Sequence, residues 1–188
     1  NVPASRAVWI TNLFQVVCAA FLLVFAGISE LITRRRLYLF GLGTFVVAAL
    51  GAALSRNLET LLVFRAFQGL GAAATLSIGP SLYRAIFPSR LLGSALGLSA
   101  LVVAGGYAAG PTLSGVILSF VDWPWLFALN VPLGVCSLWL ASRALPRDTP
   151  RQGSFDTLGA LYSMLMLASF FVAMDAVGHA APLWQSGG

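Results

Sequence analysis

Leu62-Val63-Phe64-Arg65-Ala66-Phe67-Gln68-Gly69-Leu70-Gly71-Ala72-Ala73 sets one arginine into a run that otherwise reads as membrane-spanning. A charge at bilayer depth costs at least about 2.5–3.5 kcal/mol, so it is tolerated where it faces a protein interior or a wet cavity. Arg65 is therefore a candidate functional residue. Arg65 and Gln68 stand at i and i+3 and share a helix face. Gly71, Ala72 and Ala73 allow neighbouring helices to come close. Two readings of Arg65 follow. It is a structural cation satisfied by backbone carbonyls, or a cation that binds an anion or biases the proton of a nearby carboxylate. Charge and context favour the second.

The rest of the chain has the same character. Of its 188 residues, 59% are hydrophobic and 9% charged, with mean hydropathy +0.88; soluble domains carry roughly 25% charged residues. The chain is thus an all-α integral membrane protein. Only helices or a closed barrel satisfy the backbone in lipid, and the long apolar runs lack the alternation of barrel strands. Six spans are expected, at 12–29, 37–55, 60–82, 91–118, 124–142 and 156–176, each near the roughly 20 residues a bilayer demands. Residues 1–11 read as a loop leading into the first span.

A net charge of +5 invites a nucleic-acid reading, which the placement of the charges excludes. All 11 basic residues are arginines, and eight of them fall into three clusters: Arg34, Arg35 and Arg36; Arg84 and Arg90; Arg143, Arg147 and Arg151. The clusters recur in every second loop, the positive-inside pattern, which assigns those loops to the cytoplasm. Trp9, Trp123, Trp125 and Trp184 fall at expected interfaces, where amphipathic rings settle.

Three further stretches carry candidate residues. Gly106, Gly110 and Ser114 form a small-residue ridge at i, i+4 spacing late in the fourth span, and Gly93 and Gly97 repeat it earlier. Pro111 removes a backbone donor there and bends the helix. The ridge is either plain close packing or a bent helix sealing one side of a cavity. Between the first two spans, Glu30 and Arg34 at i, i+4 can pair across one turn; they serve topology, or a charge latch between helix bundles. Asp175 ends the last span, where a carboxylate at the membrane edge is either solvated or able to titrate. Asp156 begins that span and favours the positive end of its helix dipole.

Other signals are weak. Cys18 and Cys136 show neither metal spacing nor a disulfide framework. Gly69-x-Gly71-x-x-Ala74 lacks the preceding strand and following acid of a dinucleotide site and reads as a glycine-rich helix face. His179 is a lone exterior-loop histidine. The sequence holds no nucleophile–His–acid set, phosphate-binding loop or metal-ligand cluster, so no enzyme, cofactor or metal is expected.

Four stretches, in order, resemble the major facilitator superfamily, specifically its fourteen-helix drug:proton antiporter branch. Arg65-x-x-Gln68-Gly69-x-Gly71 is similar to the fourth-helix motif, whose arginine is implicated in proton coupling. Gly106-x-x-x-Gly110-Pro111-x-x-Ser114-Gly115 resembles the fifth-helix antiporter motif, with serine at 114 where glycine is usual. Trp123-Pro124-Trp125-Leu126-Phe127 through Asn130-Val131-Pro132-Leu133-Gly134 resembles the start of helix six, and Phe155-Asp156-x-x-Gly159 that of helix seven. Asp175 followed by Trp184 is similar to a periplasmic-end pattern of multidrug members. The loop with Glu30, Arg34 and Arg35 matches less well, since Leu31 replaces a usual arginine and Thr33 a usual glycine.

The resemblance implies a partial superfamily bundle comprising family helices two to seven, a fragment that lacks helix one and the second half. Residues 1–142 would belong to the N-terminal bundle, 143–155 to a cytoplasmic linker, and 156–188 to helix seven and an exterior tail. The implied activity is proton-coupled export of drugs or other amphipathic molecules by alternating access, in the inner membrane of a bacterium. Arg65 would bias a carboxylate on helix one; Gln68, Gly69 and Asp175 would belong to the coupling and transport set. Gly106, Gly110, Pro111 and Gly115 would form close contacts that limit proton leak. The implied partners are a small-molecule substrate, protons and the lipid bilayer, with a periplasmic adaptor left open. A metabolite or nutrient porter of the same superfamily, and a non-transporting truncated membrane protein, are the alternatives.

Overall fold

The computed structural model of the chain describes residues 4–146 and 157–180. They form α1 (Ala4–Leu31), α2 (Arg34–Ala53), α3 (Leu58–Ile86), α4 (Ser89–Phe120), α5 (Pro124–Ala128), α6 (Asn130–Ala144) and α7 (Thr157–Ala180). Five stretches are long and apolar enough to cross a membrane: Trp9–Ser29, Arg34–Ala53, Leu58–Ile86, Ser89–Phe120 and Pro124–Ala144. A shorter apolar stretch, Leu158–Phe170, lies in α7. This is the all-α membrane bundle expected from composition.

Polar side chains and prolines set the helix ends. Thr33 caps α2, its hydroxyl oxygen accepting from the Arg36 amide at 3.3 Å. Asn57 caps α3, its Oδ1 accepting from the Thr60 amide at 2.8 Å. Such caps satisfy donors that the first helical turn leaves free. Pro88 stands immediately before α4.

Two boundaries differ from the sequence expectation. Residues from Ala4 onward are helical, so part of the stretch read as a loop belongs to α1. Hydropathy marks where a helix crosses lipid, while its hydrogen-bond ladder continues beyond. The fifth expected span is two helices, interrupted at Leu129. Pro132 has no amide to donate to the Ala128 carbonyl, and its ring crowds that position. Asn130 Nδ2 donates to the Leu126 carbonyl across the interruption at 2.8 Å.

The core lies where α3 passes between α1 and α2. Gly69 and Gly71 are two residues apart and therefore point to roughly opposite sides of the helix. A Cβ on Gly69 would stand 2.7 Å from the Phe14 carbonyl oxygen of α1, and one on Gly71 2.6 Å from the Gly41 carbonyl oxygen of α2. Gly41 returns the contact, since its Cβ would lie 2.9 Å from the Gly71 carbonyl oxygen. Backbone thus meets backbone on both flanks of α3, the close approach that small residues permit in membrane bundles. Below the crossing, Leu37, Ala74, Ile78 and Leu82 form a buried cluster against which Phe25, Tyr38 and Leu145 pack. Both α5 and α6 lie against α2, and α7 lies against α1.

Successive spans alternate in direction, α5 and α6 together counting as one. The α1–α2 turn, the α3–α4 turn and the end of α6 therefore share one end of the bundle, which gathers Arg34, Arg35, Arg36, Arg84, Arg90 and Arg143. Arg56, Glu59 and Asp122 lie at the opposite end.

Candidate functional site

Arg65 lies seven residues into α3, about 10 Å along the helix from its start. Its Nε donates to the Ile10 carbonyl oxygen of α1 at 2.9 Å. Its Nη1 donates to Gln68 Oε1 at 3.0 Å, so the pair expected from i, i+3 spacing is formed. The guanidinium carbon stands 4.5 Å from the Phe14 ring centroid and 5.6 Å from that of Phe127 on α5. Ring faces attract a cation, more strongly where water is excluded. Three helices therefore contribute to one cation: α1 a carbonyl and a ring, α3 an amide oxygen, α5 a second ring.

Gln68 is 1% exposed, and Gly69 beside it permits the approach of α1. The two bonds employ two of the five guanidinium donors. Among the described residues the other three have no partner, and no carboxylate pairs with Arg65. The arrangement can hold a permanent positive charge at fixed depth and present unused donors to an anion or a carboxylate. Ile10, Phe14 and Phe127 escaped the sequence reading. A backbone carbonyl leaves no residue signature, and two phenylalanines in apolar runs look like any lipid-facing residue.

The remaining candidates are not gathered around Arg65. No residue of α4 is buried. A Cβ on Gly93, Gly97, Gly106, Gly110 or Gly115 would meet nothing within 4 Å, so the ridge with Pro111 and Ser114 faces no helix among the described residues. At the basic end, Arg35 Nη2 donates to the Ser142 carbonyl oxygen of α6 at 2.5 Å, and its Nε is buried without a hydrogen-bond partner among the described residues. Arg143 stacks on Trp139, 4.5 Å from the ring centroid. Glu30 and Asp175 lie in α1 and α7, but their side chains fall outside the described residues, as do Phe155, Asp156, Trp184 and the linker from residue 147 to 155.

Comparison with known proteins places the chain in a family. The chain is 37% identical over 183 residues to the uncharacterized transporter YebQ of Escherichia coli (strain K12), covering 96% of this chain and 40% of that protein. It is 29% identical over 181 residues to the riboflavin transporter RibZ of Clostridioides difficile (strain 630), covering 95% and 40%. It is 28% identical over 175 residues to multidrug resistance protein 3 of Bacillus subtilis (strain 168), covering 93% and 34%. The chain thus spans about two fifths of the length of the first curated relatives it matches. Residues 1–187 match the family described as the Major Facilitator Superfamily. With five stretches long and apolar enough to cross a membrane among the described residues, the chain is a multi-pass membrane protein that belongs to the Major Facilitator Superfamily.

Proposed function

We propose that this chain is part of a proton-coupled secondary transporter that exports drugs or other amphipathic small molecules by alternating access. The observation that carries the reading is Arg65, anchored by the Ile10 carbonyl, Gln68 and two rings, with three donors unused among the described residues. A fixed cation in a low-dielectric setting lowers the pKa of a carboxylate brought near it, and releases that effect when the carboxylate moves away. This is the elementary step by which conformation and proton occupancy become coupled. The multidrug resistance name of one relative supports an exporter. The alternating-access motion would rock two helix bundles around a site near the bilayer midplane.

Within this proposal the chain supplies helices two to seven of the drug:proton antiporter branch, and residues 143–155 link the halves on the cytoplasmic side of an inner membrane. Arg65, Gln68, Gly69 and Asp175 serve coupling and transport. The open ridge of α4, with Gly106, Gly110, Pro111 and Gly115, receives a helix beyond those described and limits proton leak. Glu30, Arg34 and Arg35 act at the cytoplasmic turn. A second reading, a vitamin or metabolite porter, is favoured by the riboflavin transporter among the relatives.

The test uses the intact gene product in everted membrane vesicles energised by a proton gradient. Arg65→Ala is expected to abolish gradient-driven dye or drug movement while membrane expression persists, and Arg65→Lys to restore it only partly, because lysine keeps the charge but loses the planar fork. Wild-type transport by Arg65→Ala refutes the role of Arg65. Riboflavin movement without movement of amphipathic drugs decides for the second reading.

A further inference from the structure

The outer face of α2 combines two features that the transport reading does not use. Arg36, Phe40, Gly43 and Val47 stand at i, i+4, i+7 and i+11, one stripe of a helix. Phe40 and Val47 are 61% and 68% exposed, and a Cβ on Gly43 would meet nothing within 4 Å. Phe64 and Phe67 of α3 line the same groove of about 480 Å³, in which Thr44 is the sole polar side chain. Lacking a side chain, Gly43 deepens the groove where the phenylalanines flank it.

The three consecutive arginines at the start of α2 are not equivalent. Arg35 turns to the Ser142 carbonyl of α6. Arg36 is exposed, on the groove's own stripe, and among the described residues its guanidinium has no hydrogen-bond or ion-pair partner. From Arg36 to Val47 the helix rises about 16 Å, close to half of the roughly 30 Å hydrocarbon core, or one leaflet. A cation thus stands at the leaflet's edge and an apolar groove extends one acyl-chain length inward from it.

We propose that this groove holds one anionic phospholipid of the leaflet at the basic end. Its phosphate pairs with Arg36, and an acyl chain lies along Phe40, Gly43 and Val47 against Phe64 and Phe67. A small soluble anion would have no use for the groove, and an apolar helix would leave Arg36 unmatched. Basic residues at a membrane surface attract anionic headgroups, and here the groove turns that general attraction into a site for one molecule.

The experiment is native mass spectrometry of the intact gene product, stripped of lipid and then offered equal amounts of phosphatidylglycerol and phosphatidylcholine with identical chains. The wild type is expected to retain phosphatidylglycerol preferentially. Arg36→Gln should lower that preference about fivefold, the effect of one basic residue near an anionic surface. Gly43→Phe fills the groove and should reduce retention of both lipids. Arg56→Gln, at the other end of α2, should change nothing. Equal retention of the two lipids by the wild type, an undiminished preference in Arg36→Gln, or unchanged retention in Gly43→Phe overturns the proposal. A Gly43→Phe protein that fails to fold overturns it equally, because another protein segment would then occupy the groove.

Discussion

Replacing Gly71 by alanine adds one methyl group at the point where α3 presses on α2. That carbon would stand 2.6 Å from the Gly41 carbonyl oxygen, 2.7 Å from the Phe45 amide nitrogen and 3.0 Å from the Phe45 Cα. Non-bonded heavy atoms rest about 3.5–4.0 Å apart, and all three obstacles are backbone, which cannot swing aside. The helices must part by roughly 0.5–1 Å, a gap that forfeits a quarter to a half of the dispersion attraction across the seam. Overpacking of this kind costs about 1–3 kcal/mol. Gly43 supplies the control. It lies in the interior of α2, and a Cβ there would meet nothing within 4 Å. Alanine improves helix propensity over glycine by about 0.8–1.0 kcal/mol at either position, so that gain cancels in the difference. Gly71→Ala should therefore be less stable than Gly43→Ala by about 1–3 kcal/mol, the overpacking cost alone. Thermal unfolding of the purified variants in detergent, followed by far-ultraviolet circular dichroism, measures the difference. Gly71→Ala unfolding at or above the temperature of Gly43→Ala would refute the close approach.

Two other substitutions test contacts between helices. Gln68→Leu removes the acceptor that Arg65 uses and is expected to cost about 1.5–3 kcal/mol, as for hydrogen bonds to charged groups; Gln68→Glu keeps an acceptor and should unfold later than Gln68→Leu, and the reverse order sinks the assignment. Arg35→Ala frees the Ser142 carbonyl, so amide exchange in the last turn of α6 should accelerate by roughly tenfold or more. Unchanged exchange there would mean that Arg35 does not tie α6 to α2.

The spans were legible because lipid imposes one strong demand, twenty apolar residues in a row, and composition answers it directly. The Arg65–Gln68 bond was legible from spacing on one helix. Its partner across the bundle was not, because Ile10 acts through its carbonyl, and any residue would offer the same atom. Gly69 and Gly71 read as one glycine-rich face, yet two residues along a helix turn by about 200°, so each serves a different neighbour. The fifth span read as continuous because hydropathy does not register a missing amide at Pro132. The α4 ridge was legible as small residues, but spacing names no partner for it.

The paired glycines of α3 also bear on how the molecule can move. A shaft keyed on both sides cannot turn in its housing. Rotating α3 by one residue would drive the side chain of Leu70 or Ala72 into the backbone of α1 or α2, where only a hydrogen atom now fits. Sliding it by one residue would do the same. Arg65 therefore cannot be redirected by a twist of its own helix. Any motion that changes what its free donors meet must carry α1, α2 and α3 together as one rigid piece, or must bring the other partner to a cation that stays in place.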